Sequence, residues 1–399
     1  MSAREEAGMP RSVLVVLHVE KLSGPQRSLE PRLGFLRERG TRITTLLPRH
    51  GPAADVAASV GEVAVGMPGA LLVPRSPLAA LRATRSAWVQ AERVEVAARA
   101  TGADIVIVTS ARMPGALRGA RRAGAGVILY AGESLAAHGA QRLMGELAGR
   151  LAAGSAHALL VPSRYVSEWY EARGVHTHVV NPPIAPPPSP EEARKRGLAF
   201  RRHLGIGPQE ALVGALGAIT RGRGQDLLVR ALAHAREASR PWRLVIGGEA
   251  YGRPSDLRFA QELFRLPAEL GVASNVVFAG RVDDANAFYA ATDLFVNPAR
   301  AAESFGRAAC EALAMGCPVV TTRVGGVAEA LEDGKTALFT EPDDPESLET
   351  AIWRVLDDAE LRAALATQGR SAVRARFAPE VGNPRFEDAI RVAMASRSR

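Results

Sequence analysis

Short aliphatic runs punctuate the chain at residues 13–17, 43–47, 105–108, 126–130 and 158–161, each bounded by Gly, Pro or polar positions. Runs of that length with such boundaries predict strands rather than helices. Between them lie Ala- and Arg-rich stretches with helical spacing; one spans residues 27–39, after a loop at 20–25, and stops at Gly40. Alternation of this kind predicts a parallel sheet covered by helices.

The Pro-rich stretch at 181–190 interrupts every period and reads as a linker. A second series follows, with strand-like runs at 211–217, 242–248, 275–280, 293–297 and 318–322, each leading into a helical segment. The pattern therefore predicts an α/β chain of two Rossmann-like domains, at 1–182 and 191–381, joined by residues 183–190. Their parallel sheets are expected to face each other across a cleft that closes over a ligand, because open α/β sheets bind beyond the carboxyl ends of their strands. Residues 382–396 also read as a helix.

Composition changes this picture little. With 399 residues, 47% of them apolar, the chain has enough apolar content for two cores. No run of apolar residues reaches membrane-spanning length, and the first ten residues, with Arg4, Glu5 and Glu6, do not resemble a signal segment, so a cytoplasmic protein is expected. Cys310 and Cys317 sit in apolar surroundings and predict buried thiols, and no Cys/His spacing suits a metal. The net charge of +8 lies wholly in residues 1–182, which hold 22 Lys and Arg against 14 Asp and Glu. Such a field attracts phosphates, lipid headgroups or acidic partners. Heavy use of Arg over Lys reflects coding bias as readily, and no basic stripe with interleaved aromatics supports nucleic-acid binding. No Lys/Arg-rich amphipathic helix with aromatic anchors stands out either.

The most informative stretch is residues 303–316, in which Glu303 and Glu311 stand eight positions apart before the apolar run at 317–322. Phe305, Ala308, Ala309, Ala312 and Leu313 follow a helical stripe, predicting a helix that starts near Phe305, with Glu303 before it and Glu311 within it. The amides of Ser304, Phe305 and Gly306 would then be free donors at a helix start, suited to an anionic or polyhydroxylated ligand. Taken alone, Arg307 and Glu311 are equally an ordinary i, i+4 pair.

At this block the chain resembles the retaining glycosyltransferases of family 4, which have the GT-B fold. Glu303, Glu311, Gly316, Pro318, Val319 and Val320 match the family's Glu-x7-Glu motif and following strand. The resemblance extends from about residue 13 to about residue 377, and it implies that the helix at 382–396 crosses back and packs on the first domain. Gly217 to Leu228 resembles the turn whose two basic side chains grip the donor pyrophosphate; Ala218 stands where the family has Arg, Arg223 replaces Lys, and Arg221 is expected to restore the charge. The strand ending at Gly248, the segment holding Arg281 and Val282, and the Gly325-Gly326 turn resemble the nucleotide and phosphate contacts. On the acceptor side, Gly24 lies in the place of a Gly-rich loop where Pro25 removes one donor. Glu133 keeps the acidic position of a His-acidic pair, Gly132 replaces the His, and His138 is a candidate substitute.

The resemblance implies sugar transfer from a nucleotide diphosphate sugar, UDP-sugar favoured, to a hydroxyl of a small-molecule, saccharide or lipid acceptor, with retention. A soluble acceptor is preferred, and contact with a membrane surface is admitted. It implies that Glu311 binds ribose, that Glu303 positions the sugar, and that Arg223, Arg221 and the amides near Gly325 and Gly326 stabilise the departing diphosphate. A ribose-binding Glu311 does not suit the paired carboxylates of double displacement, so Glu303 is not read as a nucleophile. The absence of Asp-x-Asp predicts turnover without a metal and no cofactor besides the donor substrate. Two rivals remain: a non-catalytic sugar-nucleotide-binding protein, given the departures at Ala218, Gly132 and Pro25, and a nicotinamide oxidoreductase, disfavoured because no opening strand is followed by Gly-x-Gly-x-x-Gly. The oligomeric state is not addressed by these features.

Overall fold

A computed structural model describes residues 9–20, 24–70, 77–132, 149–150, 152–237 and 241–397, with only the backbone of Pro77, Ala79 and Ala80. The chain divides into two compact units, Met1–Pro183 with Pro379–Arg399, and Ile184–Ala378.

In the first unit the strands are β1 (Ser12–Val16), β2 (Arg42–Leu47), β3 (Glu62–Val65), β4 (Ile105–Val108), β5 (Gly126–Tyr130), β6 (Ala158–Val161) and β7 (His178–Val179). They form one parallel sheet in the order β3-β2-β1-β4-β5-β6-β7, with Val13 opposite Ile43 on one side and Ile105 on the other. The connecting helices are α1 (Gly24–Glu38), α2 (Pro52–Val60), α3 (Pro77–Thr101), α4 (Pro114–Arg122) and α5 (Arg164–Glu171). Successive side chains of a strand face opposite ways. Val13, Val15, Ile105 and Ile107 therefore pack in one layer, and Leu14, Val16, Val106 and Val108 in the other. Burial on both faces is why these strands read as unbroken aliphatic runs.

The second unit contains β8 (Leu212–Leu216), β9 (Arg243–Gly247), β10 (Val276–Gly280), β11 (Leu294–Asn297), β12 (Val319–Thr322) and β13 (Leu338–Thr340), parallel and in the order β10-β9-β8-β11-β12-β13. Its helices are α6 (Pro190–His203), α7 (Gln225–Glu237), α8 (Pro254–Glu269), α9 (Ala285–Ala291), α10 (Arg307–Ala314), α11 (Val327–Ala330), α12 (Pro345–Asp357) and α13 (Ala359–Phe377). Ser189, Asp284, Asp344 and Asp358 cap four of them by accepting an amide three residues on.

The last helix, α14 (Pro379–Ser396), belongs to the first unit. Phe386, Ala389, Ile390 and Ala393 are buried with β1 and β5 side chains. Gly126 permits the approach, since a Cβ there would lie 2.6 Å from the Ala393 carbonyl oxygen. Beyond it Arg397 Nη1 reaches Asp104 Oδ1 at 2.5 Å. Burial pushes the Asp104 carboxyl up, but the Arg397 guanidinium and the amides of Arg11 and Ser12 outweigh it and hold the group below its ordinary value.

Three strands have no counterpart in the aliphatic pattern: β3, β7 and β13. All lie at sheet edges, where a strand is short and paired on one side only. β3 reads Glu-Val-Ala-Val and is largely exposed, and β7 has two residues.

Candidate functional site

The carboxyl ends of β8, β9 and β10 are knitted together by backbone bonds. The Gly217 amide donates to the Gly247 carbonyl at 3.0 Å, and the Gly248 amide to Gly280 at 2.6 Å. Gly248 has φ +133°, and a Cβ there would lie 1.8 Å from the Gly217 carbonyl oxygen. No other residue fits that turn without moving a strand end. Val282 packs near Gly247, whereas Arg281 is exposed and pairs with Asp283 at 2.7 Å.

Beside this platform, Arg221–Arg223 forms a single tight turn before α7. Arg223 makes an ion pair with Glu303, whose side chain is only 9% exposed. Asn297, buried at the end of β11, donates from Nδ2 to Glu303 Oε2 at 2.9 Å and is itself fixed by Thr321, whose Oγ1 donates to the Asn297 carbonyl at 3.2 Å. A nearly buried carboxylate held by a cation and an amide is oriented as well as neutralised. Loss of water around the Arg223 guanidinium lowers its pKa from the ordinary value, with Tyr251 and Tyr289 pulling the other way. The crowding is at the charged end, since 38% of the side chain as a whole remains exposed.

The helix after Glu303 begins at Arg307, with Gly306 as its cap at φ +84°. This corrects the expected start near Phe305: the Phe305 ring is drawn into the core against Phe377, centroids 5.0 Å apart, and the chain turns only after it. The first-turn amides of the helix are accordingly those of Arg307, Ala308 and Ala309. Among the described residues, no protein acceptor is recorded for the amides of Ser304 and Phe305.

The Gly325-Gly326 turn lies directly on this segment. A Cβ at Gly325 would be 2.3 Å from the Glu303 carbonyl oxygen and one at Gly326 2.4 Å from that of Ser304. The Gly326 amide donates to the Glu303 carbonyl at 2.8 Å. It is therefore not a free phosphate donor, as the sequence reading had it, but a strut for the Glu303 backbone.

Glu311 accepts from Arg307 Nε at 2.6 Å and from the buried Tyr289 hydroxyl at 3.1 Å. The i, i+4 pair thus exists, and the carboxylate keeps 19% of its side-chain surface exposed. Arg221 pairs with Glu262 of α8 and lies over the Phe259 ring, 5.1 Å from its centroid. Cys310 and Cys317 are buried thiols, both pushed up to about 12 by burial.

Sequence reasoning missed Arg300. Its Nη1 and Nη2 bind the two oxygens of Asp226 at 2.6 and 2.9 Å, its Nε pairs with Asp343, and its Nη1 also reaches the Arg221 carbonyl at 3.3 Å. The amides of Arg300 and Ala301 both donate to the Gly222 carbonyl. One residue therefore ties the Arg223 turn to the Glu303 segment, and the fork geometry of a guanidinium suits that task. A solitary Arg between Ala299 and Ala301 gives no sequence signal for it. Asn297 left a faint one, a polar residue closing an otherwise aliphatic strand.

In the first unit the order of strands reverses between β1 and β4, the topological switch point where such sheets bind ligands. His18 follows β1 there, its Nδ1 3.0 Å from Thr109 Oγ1 beyond β4. Gly24 is not in an open loop but opens α1. Gly132 faces Pro25: a Cβ would lie 3.1 Å from Pro25 Cγ and 3.4 Å from the Tyr130 ring. Pro25 and Gly132, both departures from the pattern expected at this end of the sheet, are thus neighbours, and a side chain at Gly132 would crowd the Pro25 ring. Glu133 and His138 lie outside the described residues.

Residues 210–358 match the family model of glycosyl transferases group 1. Among curated proteins, a lipopolysaccharide core biosynthesis mannosyltransferase of Rhizobium meliloti is 32% identical over 45% of this chain and 51% of its own length. A D-inositol 3-phosphate glycosyltransferase of Acidothermus cellulolyticus is 34% identical over 57% of this chain and 53% of its own. The chain thus spans about half the length of these relatives. Among solved structures, Anabaena HepE in complex with UDP and glucose superposes with a TM-score of 0.80 at 21% identity, covering 94% of this chain and 98% of that one. The fold is GT-B, with two Rossmann-like parallel sheets.

Proposed function

We propose that this chain, whose residues 210–358 match the family model of glycosyl transferases group 1, transfers a sugar from a nucleotide diphosphate sugar to an acceptor hydroxyl with retention of configuration. The observation that carries the reading is the nearly buried Glu303 carboxylate set between Arg223 and Asn297, beside glycine turns that leave main chain open to a flat ligand. Charge develops on the departing diphosphate, and Arg223 is the preorganised cation for it. Glu303 and the neighbouring amides hold the sugar hydroxyls, and Glu311 the ribose. The leaving phosphate takes the acceptor proton on the same face. A UDP-sugar is the favoured donor, in keeping with UDP and glucose in HepE. The acceptor is a saccharide, small-molecule or lipid hydroxyl held by the first unit near His18 and Thr109.

Thermal melting with UDP-, GDP-, ADP- and dTDP-sugars tests this directly. A donor at a hundred times its Kd adds about 2.7 kcal/mol of stability, and a UDP-sugar should raise Tm by several degrees. No shift with any of the four would remove the basis of the proposal. A shift without transfer or slow donor hydrolysis would mark a binding protein instead. Turnover is also expected to survive EDTA. Activity lost to EDTA and restored by Mn²⁺ or Mg²⁺ would overturn that part.

Arg300→Ala should leave the chain folded with the Arg223 turn loosened. The donor KM is expected to rise about tenfold while the acceptor KM stays unchanged, since a small misplacement of a gripping loop costs that much or more. Equal changes in both would show a general structural defect. Arg300→Lys should not rescue, because an ammonium cannot span both oxygens of Asp226.

A further inference from the structure

α3 is much longer than the strands beside it, and its register within the first unit is fixed by Gln90. The fully buried Gln90 donates from Nε2 to the Gly69 carbonyl at 2.7 Å, and the next residue, Ala70, donates to the His18 carbonyl at 3.3 Å. His18 lies just past the carboxyl end of β1, so Gln90 stands level with the strand ends. In a parallel sheet the connecting helix runs back against the strands, its N-terminus at their carboxyl ends. Residues 77–89 therefore project about 20 Å beyond the sheet edge, at 1.5 Å per residue. α4 accompanies α3 only part of the way: Gly115 and Gly119 lie on the carbonyls of Ala87 and Ala91.

The projecting turns have a distinctive surface. Leu78, Leu81 and Trp88 are 58%, 67% and 61% exposed. With Arg85 they fall at i, i+3, i+7 and i+10, one face of a helix, and exposed Arg82 adjoins them. No carboxylate occurs in residues 77–91; Glu92 is the first. Further along, Glu92 and Glu95 enter the helix and Glu95 pairs with Arg99 at 2.8 Å, so the turns without a carboxylate are those of the projecting half. The first unit as a whole holds 26 Lys and Arg against 17 Asp and Glu, and the second 24 against 25.

We propose that residues 77–89 of α3 dock the first unit on an anionic lipid surface. Leu78, Leu81 and Trp88 enter the headgroup and upper acyl region, and Arg82 and Arg85 engage lipid phosphates. Large apolar side chains in water are costly to leave exposed together. A Trp among leucines with arginines and no acid is the composition of an interfacial helix. A protein partner with an acidic rim would meet the same cations but would leave anionic vesicles unbound. The sequence pattern concealed this because the opposite, buried face is built of Gln90, Ala91, Val94 and Ala98, so the contrast between faces is small. No helix among the described residues is long and apolar enough to cross a membrane; the contact is at the surface.

The test is sedimentation of the full chain with equimolar phosphatidylglycerol and phosphatidylcholine vesicles, against phosphatidylcholine alone, at low and high salt. Binding to the anionic vesicles, weakened by salt, is expected together with a blue shift of Trp emission that Trp88→Phe removes. Leu81→Glu with Trp88→Glu should lower partitioning at least tenfold with Tm unchanged, and Arg82→Glu with Arg85→Glu should abolish the salt dependence. Failure of the wild type to bind anionic vesicles overturns the proposal. So does unaltered binding by the double Glu variants, or self-association in light scattering that the Leu81 and Trp88 changes abolish, which would assign the patch to a second copy. The assay contains no donor, so its outcome leaves the transfer reading untouched.

Discussion

Glu303→Ala is expected to lower kcat for transfer by about 100-fold or more while nucleotide affinity stays within about threefold of wild type. The carboxylate is fixed by Arg223, Asn297 and the Gly326 strut on its own carbonyl, so its place does not depend on the ligand. In the proposed role the carboxylate meets the reacting sugar and not the nucleotide, so its loss should fall on the chemical step. Glu303→Gln separates charge from shape. The amide oxygen still accepts from Asn297, but the negative charge opposite Arg223 is gone. Intermediate turnover would assign part of the effect to hydroxyl positioning alone. Steady-state kinetics with a UDP-sugar, paired with calorimetric titration of UDP, measures both terms. A loss of UDP affinity equal to the loss in kcat would show that Glu303 serves nucleotide binding, contrary to the proposed role.

Arg223→Ala should weaken donor binding about 10- to 100-fold and depress kcat as well, because a cation that touches the diphosphate acts on ground and transition states alike. A charge-assisted hydrogen bond is worth about 1.5–3 kcal/mol, which sets that range. Arg221 is not expected to compensate, being held by Glu262 and the Phe259 ring. Arg223→Lys should recover much of the binding and less of kcat, since an ammonium supplies the charge without the fork. Unchanged donor affinity in Arg223→Ala would remove this side chain from the phosphate site and leave it only as the partner of Glu303.

The departures from the family pattern gain physical meaning in this light. Ala218 and Gly132 looked like losses in the sequence. Gly132 instead lies against Pro25, whose ring approaches within 3.1 Å of where a Cβ would stand, so that a side chain there requires the ring to shift by a few tenths of an ångström. At Ala218 the carbonyl accepts from Gln225 Nε2 at 2.9 Å, which fixes the start of α7; a longer side chain is not needed for that bond. Arg300 shows the converse, a residue without a recognisable motif that the fold makes central.

Local information in the chain determined the central strands, their alternation with helices, and the block around Glu303 and Glu311. Each of these is written in a few neighbouring residues, as an aliphatic run, a helical stripe or a glycine at a strand end. Three things were decided only by tertiary structure. The edge strands β3, β7 and β13 are defined by pairing with a neighbour, and each is too short or too exposed for an apolar run to announce it. The pairing of Arg223 with Glu303, eighty positions apart, and the clamp of Arg300 on Asp226 depend on which loops the strand order β9-β8-β11-β12 brings side by side. The seat of α14 on the first unit, a return that the resemblance implied, and the projection of α3 beyond its strand ends are matters of register and length, set by Gly126 and Gln90. Residue type fixes what a group does chemically; the packing of distant segments fixes what it meets.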